Sequence, residues 1–218
     1  YLCKKLYMNI EIQNHSFILH QFGSIFWSEK SILLISDVHF GKVSHFRKHG
    51  IAIPHDAISE NFSRPEILFA DFQPKTIIFL GDLFHSTKNS EWDLFANWTK
   101  SVSPKIILVK GNHDIIDELL FEKLNIEVIP ELIIDEFILT HHPLENNTLF
   151  NFCGHIHPGI KLRAKAKQSL NISCFFQKPK QMILPAFGEF TGNFYLKPTK
   201  EDLVYALTPE KVVEVSLN

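Results

Sequence analysis

Three short apolar runs rich in β-branched residues constrain the fold of this chain most strongly. They occupy residues 31–36, 76–81 and 105–111, and each ends in a glycine or a polar residue. Runs of this length and composition predict buried strands. Between them, segments 55–72 and 90–101 carry apolar residues at helical spacing, with Ser or Asp near their starts. This alternation predicts strand–helix–strand crossovers, and therefore an α/β fold with parallel strands.

The rest of the chain has a different pattern. Beyond about residue 125 short apolar runs predict a strand-rich second half, and residues 8–27 predict short strands joined by turns at Gln13–Asn14 and Gly23. Pro65 is expected to begin or kink a turn of the first helical segment. With no repeat or linker in its 218 residues, the chain is predicted to form a single domain, 1–218.

Composition excludes several classes of protein. Hydrophobic residues make up 45% and charged residues 21%, and no apolar run approaches the roughly 18 to 20 residues that span a bilayer. The start of the chain lacks the apolar stretch of a secretory signal. Cys3, Cys153 and Cys174 are an odd, dispersed set that fits neither a disulfide framework nor a zinc module. We therefore expect a protein of the cytoplasm that does not associate with membranes.

Polar residues capable of binding metals follow the predicted strands. The first run leads into Asp37 and His39, the second into Asp82, and the third into Asn112. Two later runs lead into further histidines: His141, His142, His155 and His157. Since ligands of open α/β sheets bind at the carboxyl ends of the strands, these groups are expected to converge at one edge.

The spacing and type of these residues favour a metal site. Residues i and i+2 of an extended segment point the same way, so Asp37 with His39, and His155 with His157, can share a centre. Oxygen and imidazole ligands without thiolate suit manganese, iron, nickel or zinc. Each motif alone is more often a turn, or a histidine packed in the core. Five such motifs in order, each at a predicted strand end, make coincidence a poor explanation.

The motifs DVH, GD, GNHD, HH and GHIH, in this order, resemble the calcineurin-like metallophosphoesterase superfamily. Longer strings, including DVHFGKVSHFRKHGIAIP, LGDLFHS, GHIHPGIKLR and LPAFGEFTG, are similar to the ligase-associated DNA damage response endonuclease PdeM family. The resemblance implies a four-layer αββα sandwich with two mixed central β-sheets. It also implies a hydrolase of phosphate esters that uses two divalent ions, with Mn²⁺ favoured over Fe, Ni or Zn.

The resemblance also implies a ligand for each motif position. One ion would take Asp37, His39, Asp82 and His157. The other would take Asp82, Asn112, His141 and His155, so that Asp82 bridges the two. Of the adjacent pair, His141 is preferred to His142, because in the superfamily the ligand directly follows the strand. His113 matches the superfamily's catalytic acid, and Asp114 is expected to orient its imidazole.

Substrate contacts are expected from four further residues: His85, Lys42, Arg47 and Arg163. His85 could instead hydrogen-bond a ligand, and Lys42 and Arg47 could be solvated loop charges. Arg163 belongs to the segment KLRAKAK (161–167), whose four cations would share one face of a strand. That face could follow a phosphate backbone, or it could be an edge strand that lysines protect from aggregation.

The leading functional hypothesis is a metal-dependent phosphodiesterase, an endonuclease or nuclease acting on DNA in repair. By the same resemblance, a DNA ligase and a helicase are expected as pathway associates. The alternative is a phosphodiesterase or phosphatase for a cyclic nucleotide or other small metabolite, which would need a closed pocket. The intact ligand set argues against a catalytically silent scaffold. The sequence leaves the oligomeric state and the native metal open.

Overall fold

The structure is a computed structural model that describes residues 7–44, 57–145, 147–163, 169–188 and 191–216, without the side chains of 57–59, 90 and 163. Within these residues seven strands form a first sheet whose spatial order follows the chain, β1 to β7. Its strands are β1 (Tyr7–Ile12), β2 (His15–His20), β3 (Ile25–Trp27), β4 (Ile32–Ile35), β5 (Thr76–Leu80), β6 (Lys105–Val109) and β7 (Ile126–Ile129). Strands β1 to β4 pair antiparallel with their neighbours, and β4 to β7 pair parallel.

A second mixed sheet contains nine strands of the described chain. They are β8 (Leu132–Ile134), β9 (Phe137–Leu139), β10 (Phe150–Cys153), β11 (Pro158–Arg163), β12 (Ser169–Lys178), β13 (Gln181–Ile183), β14 (Phe194–Tyr195), β15 (Leu203–Leu207) and β16 (Val212–Glu214). At its centre β10 pairs parallel with both β9 and β13, so these three strands end at the same edge. Strand β11 pairs antiparallel with β12.

Three helices lie wholly within the described residues: α1 (Ala57–Phe72), α2 (Ser90–Ser101) and α3 (Glu118–Glu122). Helix α1 continues through Pro65, which lies inside it rather than at a boundary. Helix α2 begins after Asn89, whose side-chain oxygen accepts the Glu91 amide, as an N-cap does. The two longer helices match the predicted segments; the sequence did not indicate α3, which is too short to show periodicity.

Alternation along the parallel strands divides the core into two layers. In β4, Leu34 faces the second sheet, where it packs with Phe137 and Phe152, whereas Leu33 and Ile35 face the helices. Successive strand residues point to opposite faces, so every central strand is buried on both sides. This double burial explains why the predicted strands read as continuous apolar runs instead of alternating ones.

The prediction of an α/β fold with two mixed sheets is confirmed. Helices α1, α2 and α3 pack in the aromatic layer over the first sheet. The outer face of the second sheet carries a smaller apolar cluster that includes Ile160, Phe176 and Val204. The helical layer expected on that face is not found among the residues that the structure describes. No helix in these residues is long and apolar enough to cross a membrane.

Candidate metal centre at the carboxyl edge of the two sheets

Loops after neighbouring parallel strands run side by side at the carboxyl edge of the first sheet. The Asp37 amide donates to Gly81 O (3.2 Å), and the His39 amide donates to Asp82 O (2.9 Å). An isolated parallel bridge between Phe40 and Phe84 extends this pairing past the ends of β4 and β5. The backbone bonds hold the Asp37–His39 and Asp82 segments in register, and so bring their side chains together.

Five of the seven predicted ligands have left-handed backbone conformations. The φ angles are 54° at Asp37, 53° at His39, 50° at Asp82, 66° at His155 and 51° at His157. Non-glycine residues pay a steric cost in this region, and such residues concentrate at functional sites where the surrounding structure enforces them. The backbone is therefore shaped to aim these side chains.

The predicted ligands, together with His142, gather into two groups that a third group links. Ligand atoms of Asp37, His39 and His157 lie within 4.8 Å of one another, as do those of His141, His142 and His155. A third group at the same spacing joins Asp37, Asp82 and His141, and so links the first two. Asn112 completes the set, because its Oδ1 lies 3.0 Å from His141 Nε2.

Asp82 lies between the two groups and directs one carboxylate oxygen to each. Its Oδ1 lies 3.4 Å from His141 Nε2, and its Oδ2 lies 3.9 Å from His39 Nε2. Oδ1 also accepts the His113 amide at 2.8 Å. This is the arrangement expected of a carboxylate shared between two cations.

Backbone carbonyls fix the orientation of two of the imidazoles. His141 Nδ1 lies 2.9 Å from Leu80 O, and His157 Nδ1 lies 3.2 Å from Gly192 O. A carbonyl can only accept, so each Nδ1 carries a proton, and Nε2 is the nitrogen that remains to bind a cation in the site. Histidine ligands of metals are commonly held this way.

The residues present fit divalent cations. His155 Nδ1 lies 3.2 Å from His141 Nε2, and Asp37 Oδ1 is buried 3.1 Å from His157 Nε2 without a hydrogen bond of good geometry. Ser36 Oγ and the His155 amide bind the other Asp37 oxygen, at 2.5 and 3.0 Å. Several acceptor atoms thus lie close together without enough protons to form hydrogen bonds between them. Their repulsion destabilises the empty site, and a bound cation would relieve it.

Protonation in the site follows from burial and the neighbouring carboxylate. Burial lowers the pKa of His39 to about 3, against the opposing charge of Asp37, so this imidazole is neutral as a ligand must be. Burial also acts to lower the pKa of His157, but the Asp37 carboxylate, whose Oδ1 lies 3.1 Å from His157 Nε2, outweighs it and raises that pKa. Metal binding at this pair would release a proton, so metal affinity should fall at acid pH.

Two glycines permit the close approach of the sheets. Gly81 has φ of 80°, and a Cβ there would overlap the His141 ring. A Cβ on Gly154 would overlap Ser36 Oγ and Asp37 Oδ2. Only glycine lets the loop of the second sheet press against the ligands of the first.

His113 lies on the open side of the site. It is exposed, its ring centroid is 5.6 Å from that of His39, and it stacks on His85 at 5.7 Å and 24°. Together His39, His85 and His113 form a small array of imidazoles at one end of the centre. The structure thus brings the predicted proton donor and His85 together beside the predicted ligands.

Asp114 has a different role from the one expected. Its Oδ2 accepts the amides of Asp82 and Gly111, both at 2.8 Å, and its Oδ1 accepts the Leu83 amide at 2.9 Å. The described residues show no hydrogen bond between Asp114 and the His113 imidazole, so the expectation that Asp114 orients that ring is wrong. Burial raises the pKa of Asp114, against the lowering effect of these amides. It holds the backbone of the two ligand loops together instead.

Glu91 was not anticipated and holds the loop that carries Lys42. Its buried carboxylate accepts the Gly41 amide at 2.7 Å and the Ser44 hydroxyl at 2.5 Å. Lys42 is half-buried and its pKa is lowered, mainly by burial and against the attraction of the Asp37 and Asp82 carboxylates. The negative charges of Asp37 and Asp82 therefore act on its ammonium.

Most of the basic residues predicted to contact substrate lie outside the residues that the structure describes. Arg47 lies outside the described residues, as do residues 164–168 of the basic segment. The backbone of Arg163 ends β11, but its side chain is not described. Lys161 is exposed, and its Nζ lies 4.7 Å from the centroid of the Tyr195 ring.

Three groups with structural roles in the site escaped the sequence analysis: Ser36, Glu91 and the carbonyl of Gly192. Ser36 could have been noticed, since it directly precedes a predicted ligand at a strand end. The other two reach the site from distant parts of the chain, and no local pattern marks them.

Comparisons with known proteins agree with this geometry. The model of the calcineurin-like phosphoesterase family matches residues 30–168, a range that contains all seven predicted ligands. The crystal structure of the nuclease MPE from Pseudomonas putida superposes with a TM-score of 0.79 at 28% identity, covering 96% of this chain and 100% of that one. No functionally curated protein matched.

Two further solved structures superpose less well. The phosphoesterase Yfce from E. coli has a TM-score of 0.45 at 15% identity, covering 86% of this chain and 99% of its own. The protein AQ665 from Aquifex aeolicus, of unknown function, has a TM-score of 0.42 at 18% identity, covering 58% and 78%. The match to the family model spans the whole candidate centre and identifies the family of this chain. The chain belongs to the calcineurin-like phosphoesterase family, which implies divalent metal ions, and it is a hydrolase acting on phosphoester bonds.

Proposed function

We propose that this protein is a dinuclear metal-dependent phosphodiesterase that cleaves DNA as an endonuclease. The observation that carries the dinuclear proposal is the position of Asp82, which directs one oxygen toward His141 and the other toward His39. A single ion would leave one of the two histidine groups without a cation. Two ions match the number and the spread of the ligands.

One ion takes Asp37, His39, Asp82 and His157; the other takes Asp82, Asn112, His141 and His155. His141 is preferred to His142 because it is buried and its Nδ1 is held by a carbonyl, whereas His142 is exposed. Oxygen and imidazole donors without sulfur favour Mn²⁺, with Fe, Ni or Zn as alternatives.

When bound, the ions supply charge stabilisation for the phosphoryl oxygens and activation of the attacking water. The side chains of the protein supply the other requirements. The ammonium of Lys42 attracts the substrate phosphate, and an imidazole nitrogen of His113 donates a proton to the leaving oxygen. The exposure of His113 leaves it free to reach that oxygen. His85 stacks behind His113 and limits the orientations of its ring.

Two observations support DNA as the substrate. The Pseudomonas putida neighbour is a nuclease, and its similarity extends over nearly all of this chain. In addition, Lys161 on β11, which begins directly after His157, places its ammonium against the ring of Tyr195 on the paired strand β14. Lysines that follow phosphates and aromatic rings that stack on bases are typical of surfaces that bind single strands.

Metal-free protein should be reconstituted with manganese, nickel or zinc and assayed on four substrates. These are bis-p-nitrophenyl phosphate, cyclic nucleotides, supercoiled DNA and single-stranded DNA. We expect hydrolysis of bis-p-nitrophenyl phosphate and of DNA, with Asp82→Asn inactive on both. Cleavage of the small esters alone would refute the endonuclease proposal and favour the small-metabolite alternative.

The proposed role of His113 has its own test. His113→Ala should bind two ions per chain like the native protein, while kcat on esters with poor leaving groups falls by about 100-fold or more. The p-nitrophenolate group leaves without a proton, so hydrolysis of bis-p-nitrophenyl phosphate should be much less affected. Equal losses on both kinds of ester would remove His113 from proton donation.

A repair role with a DNA ligase and a helicase as pathway associates, in the cytoplasm, is part of the proposal. It rests on the resemblance of the sequence motifs to the PdeM family. Co-purification of the tagged protein from cells with damaged DNA would test it. Absence of both enzymes from the purified complex would count against these partners without affecting the hydrolase.

A further inference from the structure

The second sheet extends beyond the carboxyl ends of its central strands. Strand β13 ends at Ile183, which pairs with Phe176, so residues 169–173 of β12 run on past that end and pair with β11 instead. Strand β11 begins directly after the predicted ligand His157, and β14 pairs with it. Strands β14 and β11 and residues 169–173 of β12 therefore form an overhang at the metal edge.

The inner face of β12 changes from apolar to polar where the overhang begins. Phe175 packs in the core between the two sheets, while Cys174 and Phe176 belong to the cluster on the outer face. Because side chains alternate along a strand, Ser173 and Asn171 share the inner face with Phe175. Polar groups are expected where a face leaves the core and meets solvent or a ligand.

Strand pairing adds residues of β11 and β14 to this polar face. Ser173 pairs with Gly159, and a Cβ on Gly159 would lie 2.9 Å from the Cβ of Asn193 and 3.2 Å from Cδ1 of Tyr195. Asn193 Nδ2 donates to Ser173 Oγ at 3.0 Å. Lys161 lies on the same face, with its Nζ 4.7 Å from the centroid of the Tyr195 ring. The polar face thus carries amide, hydroxyl, aromatic and ammonium groups.

A cleft with a volume of about 590 Å³ lies between this face and the first sheet with its helix α1. From the overhang, Asn171, Ser173 and Asn193 line it. From the other side it is lined by Phe22, in the turn between β2 and β3, and by Arg64 of α1. The guanidinium of Arg64 lies 5.2 Å from the centroid of the Phe22 ring. The cleft is therefore bounded by both sheets, as the metal centre is.

Two backbone contacts place the cleft beside the metal centre. Gly188 lines the cleft, and its amide donates to Asp37 O at 3.2 Å. Asn193 lines it too, and directly follows Gly192, whose carbonyl lies 3.2 Å from His157 Nδ1. Asp37 and His157 are predicted ligands of the same ion. The cleft therefore borders the position of that ion, where one substituent of a bound phosphate would lie.

The lining suits a nucleoside better than a second phosphate. Among the described residues that line the cleft there is no acidic side chain and one cationic side chain, Arg64, which already donates to Phe187 O at 3.1 Å. Asparagine amides present a donor and an acceptor in one plane, which matches the edge of a base. Apolar side chains such as Phe22 and Leu207 suit its faces. The volume accommodates a base with its sugar.

We propose that this cleft is a nucleoside subsite, which receives the base and sugar attached to the phosphate at the metal centre. This assignment rests on the proposed function and adds a source of selectivity to it. Two cations bind any phosphate ester, whereas the cleft favours esters of nucleosides. In a DNA strand, the next phosphate along the overhang would approach Lys161.

The test uses Asn171→Glu, which places a negative charge in the lining, and Asn9→Glu as its matched control. Both asparagines are exposed strand residues, and Asn9 lies on β1, at the edge of the first sheet. Isothermal titration calorimetry of the Mn²⁺-loaded protein gives dissociation constants for inorganic phosphate, deoxyadenosine 3′-monophosphate and deoxyadenosine 5′-monophosphate. The three ligands share the phosphate group, so differences among them measure the contribution of the nucleoside.

The native protein should bind one of the two nucleotides about tenfold more tightly than inorganic phosphate. Asn171→Glu should reduce this advantage to about twofold or less, while Asn9→Glu keeps it. The dissociation constant of inorganic phosphate should stay within about twofold of the native value in both variants, because phosphate alone does not enter the cleft.

Three results would overturn the nucleoside subsite. The first is a native protein that binds neither nucleotide more tightly than phosphate. The second is an advantage that survives in Asn171→Glu. The third is equal weakening of phosphate and nucleotide in that variant, since a charge acting at a distance would then explain the loss. Circular dichroism and manganese content check that each variant is folded and loaded, and the native comparison decides alone if Asn171→Glu is not.

These measurements do not depend on cleavage of DNA. A nucleotide advantage that Asn171→Glu removes supports the subsite even if the native protein fails to cleave DNA, and the subsite would then serve a small nucleotide ester. Conversely, DNA cleavage by a native protein without a nucleotide advantage would leave the endonuclease intact and remove the subsite.

Discussion

The two sheets deliver their ligands to the same centre but hold them in different ways. On the side of the first sheet, buried carboxylates of Asp114 and Glu91 accept backbone amides of the ligand loops. On the side of the second sheet, a neutral network of Asn151, Thr140 and Gln181 supports the loop that carries His141.

The two sides constrain their ligand loops through different hydrogen bonds. Loops after parallel strands present several amides that no strand neighbour accepts, and one carboxylate satisfies more of them than an amide side chain can. The second sheet needs fewer such bonds, because its histidines are already oriented by carbonyls of Leu80 and Gly192. Stability on the first side should therefore depend on charge, and on the second side on packing and neutral hydrogen bonds.

Substitution at the contact between the two sides should have the largest effect on metal binding and activity. Gly154→Ala places a Cβ against Ser36 Oγ and Asp37 Oδ2, and the ligand would have to move. We expect loss of at least one ion per chain and of most hydrolase activity, measured by metal analysis and bis-p-nitrophenyl phosphate hydrolysis. The matched control is Gly192→Ala, where a Cβ would meet no atom within 4 Å. Full metal content in both variants would contradict the close approach.

On the first side, Asp114→Asn should be the most damaging neutral substitution. The new amide nitrogen would face backbone N–H groups that the carboxylate now satisfies, at a cost of about 3 kcal/mol in the free energy of unfolding. Urea denaturation of metal-free protein measures it. Asp117→Asn is the control, since Asp117 is an exposed N-cap that binds only the Leu119 amide among the described contacts. Similar losses in the two variants would argue against a special role for Asp114.

On the second side, Asn151→Leu should cost less, about 2 kcal/mol, because it breaks bonds between neutral groups. The free energy of unfolding should fall by the same amount at pH 6 and at pH 8, since no titrating group is removed. Metal content should stay at the native value, because the carbonyl bonds to His141 and His157 remain. Asn171→Leu, an exposed position on β12, is the control. A loss of metal in Asn151→Leu would mean that the network, rather than the carbonyls, positions the histidines.

A buried histidine outside the centre, His20, should give the smallest effect on stability. It also serves as a reference for the histidines of the centre. Burial lowers the pKa of His20 to about 4, with Asp71 acting in the opposite direction. The unfolded chain binds this proton near pH 6.5, so the stability contributed by neutral His20 is complete above that pH and is lost as the pH falls toward 4.

The free energy of unfolding should therefore decrease by about 1 to 2 kcal/mol between pH 7 and pH 5 because of this one group. His20→Asn, which can still accept the Phe22 amide that His20 Nδ1 now accepts, should flatten that slope. Addition of Mn²⁺ should leave the contribution of His20 to the pH dependence of the free energy of unfolding unchanged, while altering the contribution of the centre. A slope equal to that of the native protein would show that His20 is not the group responsible.

Much of the fold followed from local pattern. The runs at 31–36, 76–81 and 105–111 became the central parallel strands, and 90–101 became α2 with the predicted bounds. These elements were predictable because burial on both faces requires continuous apolar strands. The short helix α3 and the two-residue strand β14 were not, since neither is long enough to show a period.

The candidate centre, like the fold, was predictable from the sequence only in part. Residue types and their order along the chain located the candidate ligands, because each follows a strand whose end could be located, and the resemblance to the superfamily then selected among them, as it did for His141 over His142. Their assignment to two ions stays a proposal, although the geometry around Asp82 supports it. The expected role of Asp114 was wrong, because a carboxylate beside a histidine in sequence can turn toward the backbone when unsatisfied amides are nearer.

The amino-acid sequence indicated which groups could bind metal and at which strand ends they would lie, because apolar period and polar interruption are local properties of the chain. How those groups are held depends on the folded structure. Glu91 and Asn151 act on loops 50 and 11 residues away, and the left-handed ligand residues and the glycine contacts exist only where the two sheets meet. Such contacts depend on the distance between segments in space, which the order of residues does not contain.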